Sequence, residues 1–193
     1  MKNDRGLLFV VSAPSGCGKG TILYEILQDE GFYYSVSATT RAPREGEVDG
    51  VNYHFLSREQ FDARVAADGM LEYATYCGNS YGTPRKEVEE MLDAGKNVIL
   101  EIDVQGAMQV KERCPEAILL FIAPPSVDTL RHRLEKRGTE TAEVIAQRVA
   151  EAEGEIACAP NYHYIIVNDV LEVAVSDFRA IVRAEQLKVR SAK

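Results

Sequence analysis

A run of five apolar residues, Leu7-Leu-Phe-Val-Val11, leads into Ala13-Pro-Ser-Gly-Cys-Gly-Lys-Gly-Thr21 and then into Ile22-Leu-Tyr-Glu-Ile-Leu27. This order predicts a strand over about 6–12, a glycine-rich turn, and a helix over about 19–29 that stops before Gly31. Glycines let the backbone turn tightly and bring several N–H groups toward one anion, while the first helical turn adds unpaired donors and a positive dipole end. Lys19 adds a mobile positive charge at the same place, so the expected ligand is a nucleotide polyphosphate. The spelling departs from the usual phosphate loop: Ala13 stands where the first glycine is expected, and Gly20 follows Lys19, so the hydroxyl comes one residue late, at Thr21. A plain strand-to-helix turn is the alternative, and it leaves Lys19 among three glycines without a reason.

Downstream, apolar runs and amphipathic stripes keep alternating. Ser57-Arg-Glu-Gln60 has capping-box spacing before the Phe61/Val65 pair, which predicts a helix over 58–67. Tyr53-His-Phe55, Leu71–Tyr76 and Tyr81–Thr83 read as short strands, and Pro84 as the first residue of a helix. Asn97–Asp103 reads as a buried strand that would set Glu101 and Asp103 on one side at its carboxyl end, where α/β sheets collect ligands. A helix over 105–112, a strand over 117–122 and a helix over 126–136 capped by Ser126 follow. Thr141 opens a helix with Ile145, Val149, Ala152 and Ile156 on one stripe and Arg148 off it; strand 164–167 and a long last helix complete the series. The class is α/β, a three-layer sandwich around a central mainly parallel sheet. Residues 1–36, 84–136 and 159–193 form its core, 37–83 an inserted lobe and 137–158 a helical lid with arginines near its hinges.

At 193 residues, 46% apolar and 27% charged, the chain has room for one substantial core with smaller lobes. A net charge of -8 argues against a broad basic surface for nucleic acid, so an anion site must be local. No signal-type segment precedes the first strand and no run reaches membrane-spanning length, which points to a cytoplasmic protein that binds no membrane. The four cysteines are too scattered for a zinc knot, and Cys17, beside Lys19 at a helix N-terminus, is expected to favour its thiolate. A second anion site is suggested by Arg41 and Arg44, with the hydroxyls of Tyr53 and Tyr81 in reach of the same group. Its alternative is a solvated cluster paired with Glu45 and Glu47. Two anion sites on one small chain suggest phosphoryl transfer.

Several blocks appear in an order similar to that of the guanylate kinases, a branch of the nucleoside monophosphate kinases. They are Pro14–Thr21, Ser35-Val-Ser-Ala-Thr-Thr-Arg-Ala-Pro-Arg-Glu-Gly-Glu47, Gly50-Val-Asn-Tyr-His-Phe55, Glu72-Tyr73, Tyr81-Gly-Thr83, Asp103-Val-Gln-Gly-Ala107, Arg133-Leu-Glu-Lys-Arg-Gly138 and Val167-Asn-Asp169. The arginine-bearing block at 35–47 is the most specific. The resemblance implies that the sheet is that of a P-loop kinase, that 37–83 is the GMP-binding lobe, and that the partners are ATP and GMP. It implies that Ser37, Glu72 and Thr83 read the guanine with help from Asp103, and that Arg41, Arg44, Tyr53 and Tyr81 hold the GMP phosphate. On the ATP side it implies Pro14, Ser15, Gly16, Cys17, Gly18, Lys19, Gly20 and Thr21, with Arg133, Arg137 and Asn168. Lys19, Arg41, Arg133, Arg137 and Arg148 would carry catalysis by neutralising the transferring group.

Mg²⁺ is implied as a cofactor held mainly by ATP phosphates and water. Gly20 has no hydroxyl for it, so Thr21, Asp103 or Glu101 would act, if at all, through water. A monomer and a homodimer both fit the sequence. Two other readings stand beside this one: a scaffold of the same fold that binds a phosphorylated protein, and a kinase for another nucleoside monophosphate.

Overall fold

The computed structural model describes residues 5–138 and 141–189, the side chain of Arg137 excepted. In chain order the elements are β1 Leu8–Ser12, α1 Lys19–Ile26, β2 Phe32–Tyr34, β3 Ala38–Thr39, β4 His54–Phe55, α2 Arg58–Ala66, β5 Met70–Tyr76 and β6 Asn79–Pro84. There follow α3 Arg85–Asp93, β7 Asn97–Glu101, α4 Val104–Arg113, β8 Ile118–Ala123, α5 Val127–Arg137, α6 Ala142–Ala157, a 3₁₀ turn at Ala159–Asn161, β9 Tyr164–Val167 and α7 Leu171–Leu187. The α/β class with a central parallel sheet is the one observed, with β2/β7 and β8/β9 pairing in parallel.

The larger sheet runs β2-β7-β1-β8-β9. Its burial follows that order. β1 is buried at every residue and β7 and β8 at all but the last, whereas the edge strands β2 and β9 alternate or open to solvent. A parallel strand covered on both faces needs a continuous apolar run, which is how Leu-Phe-Val-Val and Ile-Leu-Leu-Phe-Ile read. The smaller sheet, β4-β3-β6-β5, lies wholly within Ala38–Pro84. Its β5/β6 hairpin turns on Cys77 and Gly78, both at positive φ, the primed geometry whose twist suits the flanking strands.

Two compact units emerge from the internal contacts: residues up to Val10 with Gly31–Ile118, and Val11–Glu30 with the chain from Leu119 on. The first holds the smaller sheet, whose core is Ala38, Phe61 and Met70 with Leu56 and Val65 against them. Ser57 and Gln60 form the expected capping box. The second unit holds α1, β8, β9 and α5 to α7. Its helix α6 starts after a Thr141 cap and buries Ile145, Val149 and Ala152, as the stripe predicts. Among the described residues no helix is long and apolar enough to cross a membrane.

Two expectations need correction. Pro84 is the N-cap of α3, with extended backbone at ψ 122°, and the helix begins at Arg85; the proline's last strand pairing with Met70 keeps it out of the helix. The strand at 97–103 ends at Glu101, because Asp103 turns to cap α4 by accepting from Gly106 N at 2.8 Å. Glu101 and Asp103 therefore do not share a strand face. Replacing Phe61 by Ala is expected to remove roughly 3–5 kcal/mol of stability, read from urea unfolding by circular dichroism. A loss below about 1 kcal/mol would mean that the smaller sheet does not rest on this ring.

Candidate active site

In the second unit the chain leaves β1 and turns at Gly16 (φ +93°) and Gly18 (φ +80°) before entering α1. Both glycines are required by their surroundings as well as by φ. A Cβ on Gly16 would stand 2.9 Å from a Leu134 methyl, and one on Gly18 would stand 2.5 Å from Asn168 Nδ2. Gly18 is also the N-cap of α1, which has no side-chain cap and no acid in its first turn. A helix end with no side-chain cap and no acid in its first turn is an arrangement that suits an anion. Asn168, 7% exposed, donates from Nδ2 to the Cys17 carbonyl at 2.6 Å and so pins the loop to the end of β9.

A cavity of about 390 Å³ opens here, lined by Gly16, Gly18, Thr21, Arg133, Lys136, Asn168, Asp169 and Leu171, a size suited to a small ligand. Of the residues expected on the ATP side it gathers Gly16, Gly18, Thr21, Arg133 and Asn168. Lys136, Asp169 and Leu171 were not expected. Lys136 lies three residues after Arg133 on α5, a helical spacing that was legible. Arg148, half-buried on α6, donates to the Ser15 hydroxyl at 3.0 Å, which brings it to the loop. Pro14 is buried, Ser15 and Gly20 are exposed, and Lys19 opens α1. The Arg137 side chain lies outside the described residues.

Cys17 corrects an expectation. It is 1% exposed, and burial pushes its thiol up to about 12, against the opposing pull of Arg133 and Lys19. The nearby cations do not make it a thiolate, because desolvation of the sulfur outweighs them.

In the first unit, Glu72 on β5 is 5% exposed and accepts from the Thr83 hydroxyl on β6 at 2.7 Å, through the cross-strand pair Glu72/Thr83. Burial drives its carboxyl up to about 7; the Thr83 hydrogen bond opposes this, the Asp103 charge adds to it, and Arg113 opposes it. Asp103 itself is exposed at the start of α4. Ser37 is half-buried, and its carbonyl accepts from His54 N at 2.9 Å.

The arginine loop lies in the same unit. Arg41 donates from Nη2 to Glu47 Oε1 at 2.9 Å and from Nη1 to the Ala42 carbonyl at 2.7 Å, with its guanidinium 5.4 Å from the Tyr53 ring centre. Tyr53 meets Tyr81 edge to face at 6.1 Å, so three of the four residues expected around a phosphate are together. Arg44 is exposed, and its backbone N–H donates to the other Glu47 oxygen at 2.7 Å. The ion pair with Glu47, offered by the sequence as the alternative to a phosphate site, is present. It holds Glu47 well below the usual carboxylate range, through the Arg41 hydrogen bond first.

The model of the family described as "Guanylate kinase" matches residues 5–185. A guanylate kinase of Clostridium perfringens strain SM101 is 53% identical over 189 residues, covering 97% of this chain and 88% of that protein. One from Thermus thermophilus is 53% identical over 186 residues, covering 96% and 83%. Among solved structures, guanylate kinase from Anaplasma phagocytophilum superposes with a TM-score of 0.75 at 35% identity, over 97% of this chain and 89% of that one.

Two outcomes are expected from this geometry. Glu72 has its carboxyl raised from 4.5 to about 7 on folding, so between those values the folded chain holds a proton that the unfolded chain has lost. Its contribution to stability therefore falls as pH rises through that window, by about 3 kcal/mol at most. Urea unfolding from pH 4.5 to 8 should show this fall relative to Glu72→Gln, and parallel curves for the two proteins would contradict it. Separately, iodoacetamide at pH 8 should label exposed Cys77 and spare Cys17 until the chain is unfolded, as read by mass spectrometry.

Proposed function

The chain belongs to the guanylate kinase family, and on that premise we propose that it transfers the γ-phosphoryl group of ATP to GMP, and to dGMP, giving ADP and GDP. The observation that carries the acceptor half is Glu72, a carboxylate withdrawn from water with one oxygen engaged by Thr83. Guanine presents two adjacent donors, N1–H and the 2-amino group, whereas adenine presents an acceptor at N1. A buried acceptor pair rewards the first and is left unsatisfied by the second, a difference that binding sites use to discriminate strongly. Ser37 and Asp103 complete the base contacts in this reading, and Arg41, Arg44, Tyr53 and Tyr81 take the GMP phosphate.

On the donor side, the amides of Ser15 to Thr21 and the Lys19 ammonium receive the β- and γ-phosphates, and Asn168 both borders the nucleotide and fixes the loop beneath it. Arg133, Arg137 and Arg148 neutralise the oxygens of the phosphoryl group in transfer. No general base is needed, because the phosphate of GMP is already ionised near neutrality. Catalysis then consists of in-line alignment and stabilisation of spreading charge in a place closed to water. Magnesium takes oxygen donors and keeps its waters, which fits an ion carried by the ATP phosphates, with the Thr21 hydroxyl, the Asn168 amide oxygen and the Asp169 carboxylate among the side-chain oxygens of the residues lining the cavity. When bound it withdraws charge from the phosphate oxygens. We read the protein as a cytoplasmic enzyme with ATP and GMP as its partners.

A coupled assay with ATP and Mg²⁺ should rank GMP above AMP, CMP and UMP. Glu72→Gln should erode that ranking at least tenfold, and Lys19→Met should lower kcat about a hundredfold, the effect of losing about 3 kcal/mol of transition-state contact. Equal rates with all four acceptors, or none with GMP, would overturn the assignment.

A further inference from the structure

Helix α4 carries three residues on one side, Gly106, Gln109 and Arg113, whose contacts all converge on the stretch of β5 that bears Glu72. A Cβ built on Gly106 would stand 2.9 Å from Glu72 Oε2 and 3.3 Å from its carboxyl carbon. Gln109 takes both backbone groups of the next residue, accepting from Tyr73 N at 3.2 Å and donating to Tyr73 O at 2.9 Å. Arg113 donates from Nη1 to the carbonyls of Met70 and Leu71, each at 3.2 Å, and lays its guanidinium 5.5 Å from the Tyr73 ring centre.

β5 is an edge strand of the smaller sheet, and its register with β6 slips between Met70 and Glu72. An edge strand presents open N–H and C=O groups on its outer side, and a one-residue slip would turn each side chain to the other face. Here Arg113 occupies the carbonyls at the slip and Gln109 supplies the hydrogen bonds that a neighbouring strand would give at Tyr73. Glu72 stands between these two anchors. Gly106 is buried and helical, with no positive φ to require a glycine, so its missing side chain serves the space that the Glu72 carboxylate fills. The N-cap of the same helix, Asp103, bonds to Gly106 N at 2.8 Å, so the cap and the glycine are set as one piece.

We propose that α4 is the positioning element of the acceptor-base site, with Gly106 setting where the Glu72 carboxylate stands and Gln109 and Arg113 fixing the strand that carries it. Gly106 is thereby a specificity-determining position, although it touches no substrate. This rests on the reading of Glu72 as the guanine-recognising group. The neighbour that a Cβ would meet is the far end of a flexible side chain, so Gly106→Ala moves the carboxylate and leaves the helix intact.

Gly106→Ala should fold with an unchanged or higher Tm, since alanine suits a helix better than glycine. Its KM for GMP should rise at least tenfold with the KM for ATP unmoved, and its preference for GMP over AMP should fall. Gln109→Ala should change the same quantities in the same direction by a smaller factor. In a Glu72→Gln background Gly106→Ala should add little further loss of preference, because the group it acts through is already gone. Independently of any substrate, the carboxyl titration of Glu72 followed by carbon-13 NMR should shift in Gly106→Ala. An unshifted titration with an unchanged KM for GMP overturns the role of α4. A shifted titration in a protein whose wild type ignores GMP would keep that role and sink the substrate assignment instead.

Discussion

The hydrogen bond from Asn168 Nδ2 to the Cys17 carbonyl, 2.6 Å long and buried, is the long-range tie that holds the glycine loop between β1 and α1 to the end of β9. The loop turns twice through left-handed glycines, and glycine loses more conformational freedom on ordering than any other residue, so this bond acts beside the Cys17 N to Pro14 carbonyl bond and the Arg148 contact to Ser15. With the carbonyl satisfied from the end of β9, the loop's ordering cost is met in folding, so under the proposed function a polyphosphate would meet donors already in place. The position of Asn168 also explains a neighbour: Gly18 must lack a Cβ because the Asn168 amide occupies that space.

Glu72 poses the opposite problem. Burying a carboxylate is unfavourable unless hydrogen bonds replace water, and one hydroxyl from Thr83 is a partial replacement. The chain meets this by letting the group hold its proton up to about pH 7. Under the proposed function, a ligand with two adjacent N–H donors would supply the hydrogen bonds that the fold withholds, so ionisation and binding would favour each other.

Reading these features from sequence succeeds where the signal is local. The apolar runs, the Ser57/Gln60 box, the Ser126 and Thr141 caps and the glycine loop are each contained in a few residues, and all are present. The short strands β2 and β3 escaped, since Phe32–Tyr34 and Ala38–Thr39 are too brief to show a period and owe their state to pairing with β7 and β6. Asp103 was misplaced for a related reason: a strand that ends two residues early looks the same in sequence until a cap is paired with its N–H. Within the candidate site, residue types and motif order drew attention to side chains that the fold brings near one another, among them Arg41 with Tyr53 and Glu72 with Thr83. What they hid is long-range: the bond from Asn168 to Cys17, the approach of Arg148 to Ser15, and the space at Gly106. The Cys17 error is one of magnitude, since nearby charge is visible in sequence and burial of the sulfur is not.

The pairing of Arg41 with Glu47 is compatible with phosphate binding on physical grounds. A guanidinium has five N–H donors in a fixed plane, and Glu47 takes one of its corners while the Ala42 carbonyl takes another. What the pair removes is the side chain's freedom, which an unpaired arginine would lose on binding. Glu47 spends its second oxygen on the Arg44 backbone, so one carboxylate fixes both the guanidinium and the loop that follows it. The packing of that guanidinium over Tyr53, itself against Tyr81, keeps its plane beside two phenol groups. Glu45 and Asp49 of the same segment are exposed to solvent, whereas Glu47 is committed to orientation. Glu47 thus constrains the Arg41 guanidinium and the Arg44 backbone much as Asn168 constrains the glycine loop, each through side-chain hydrogen bonds.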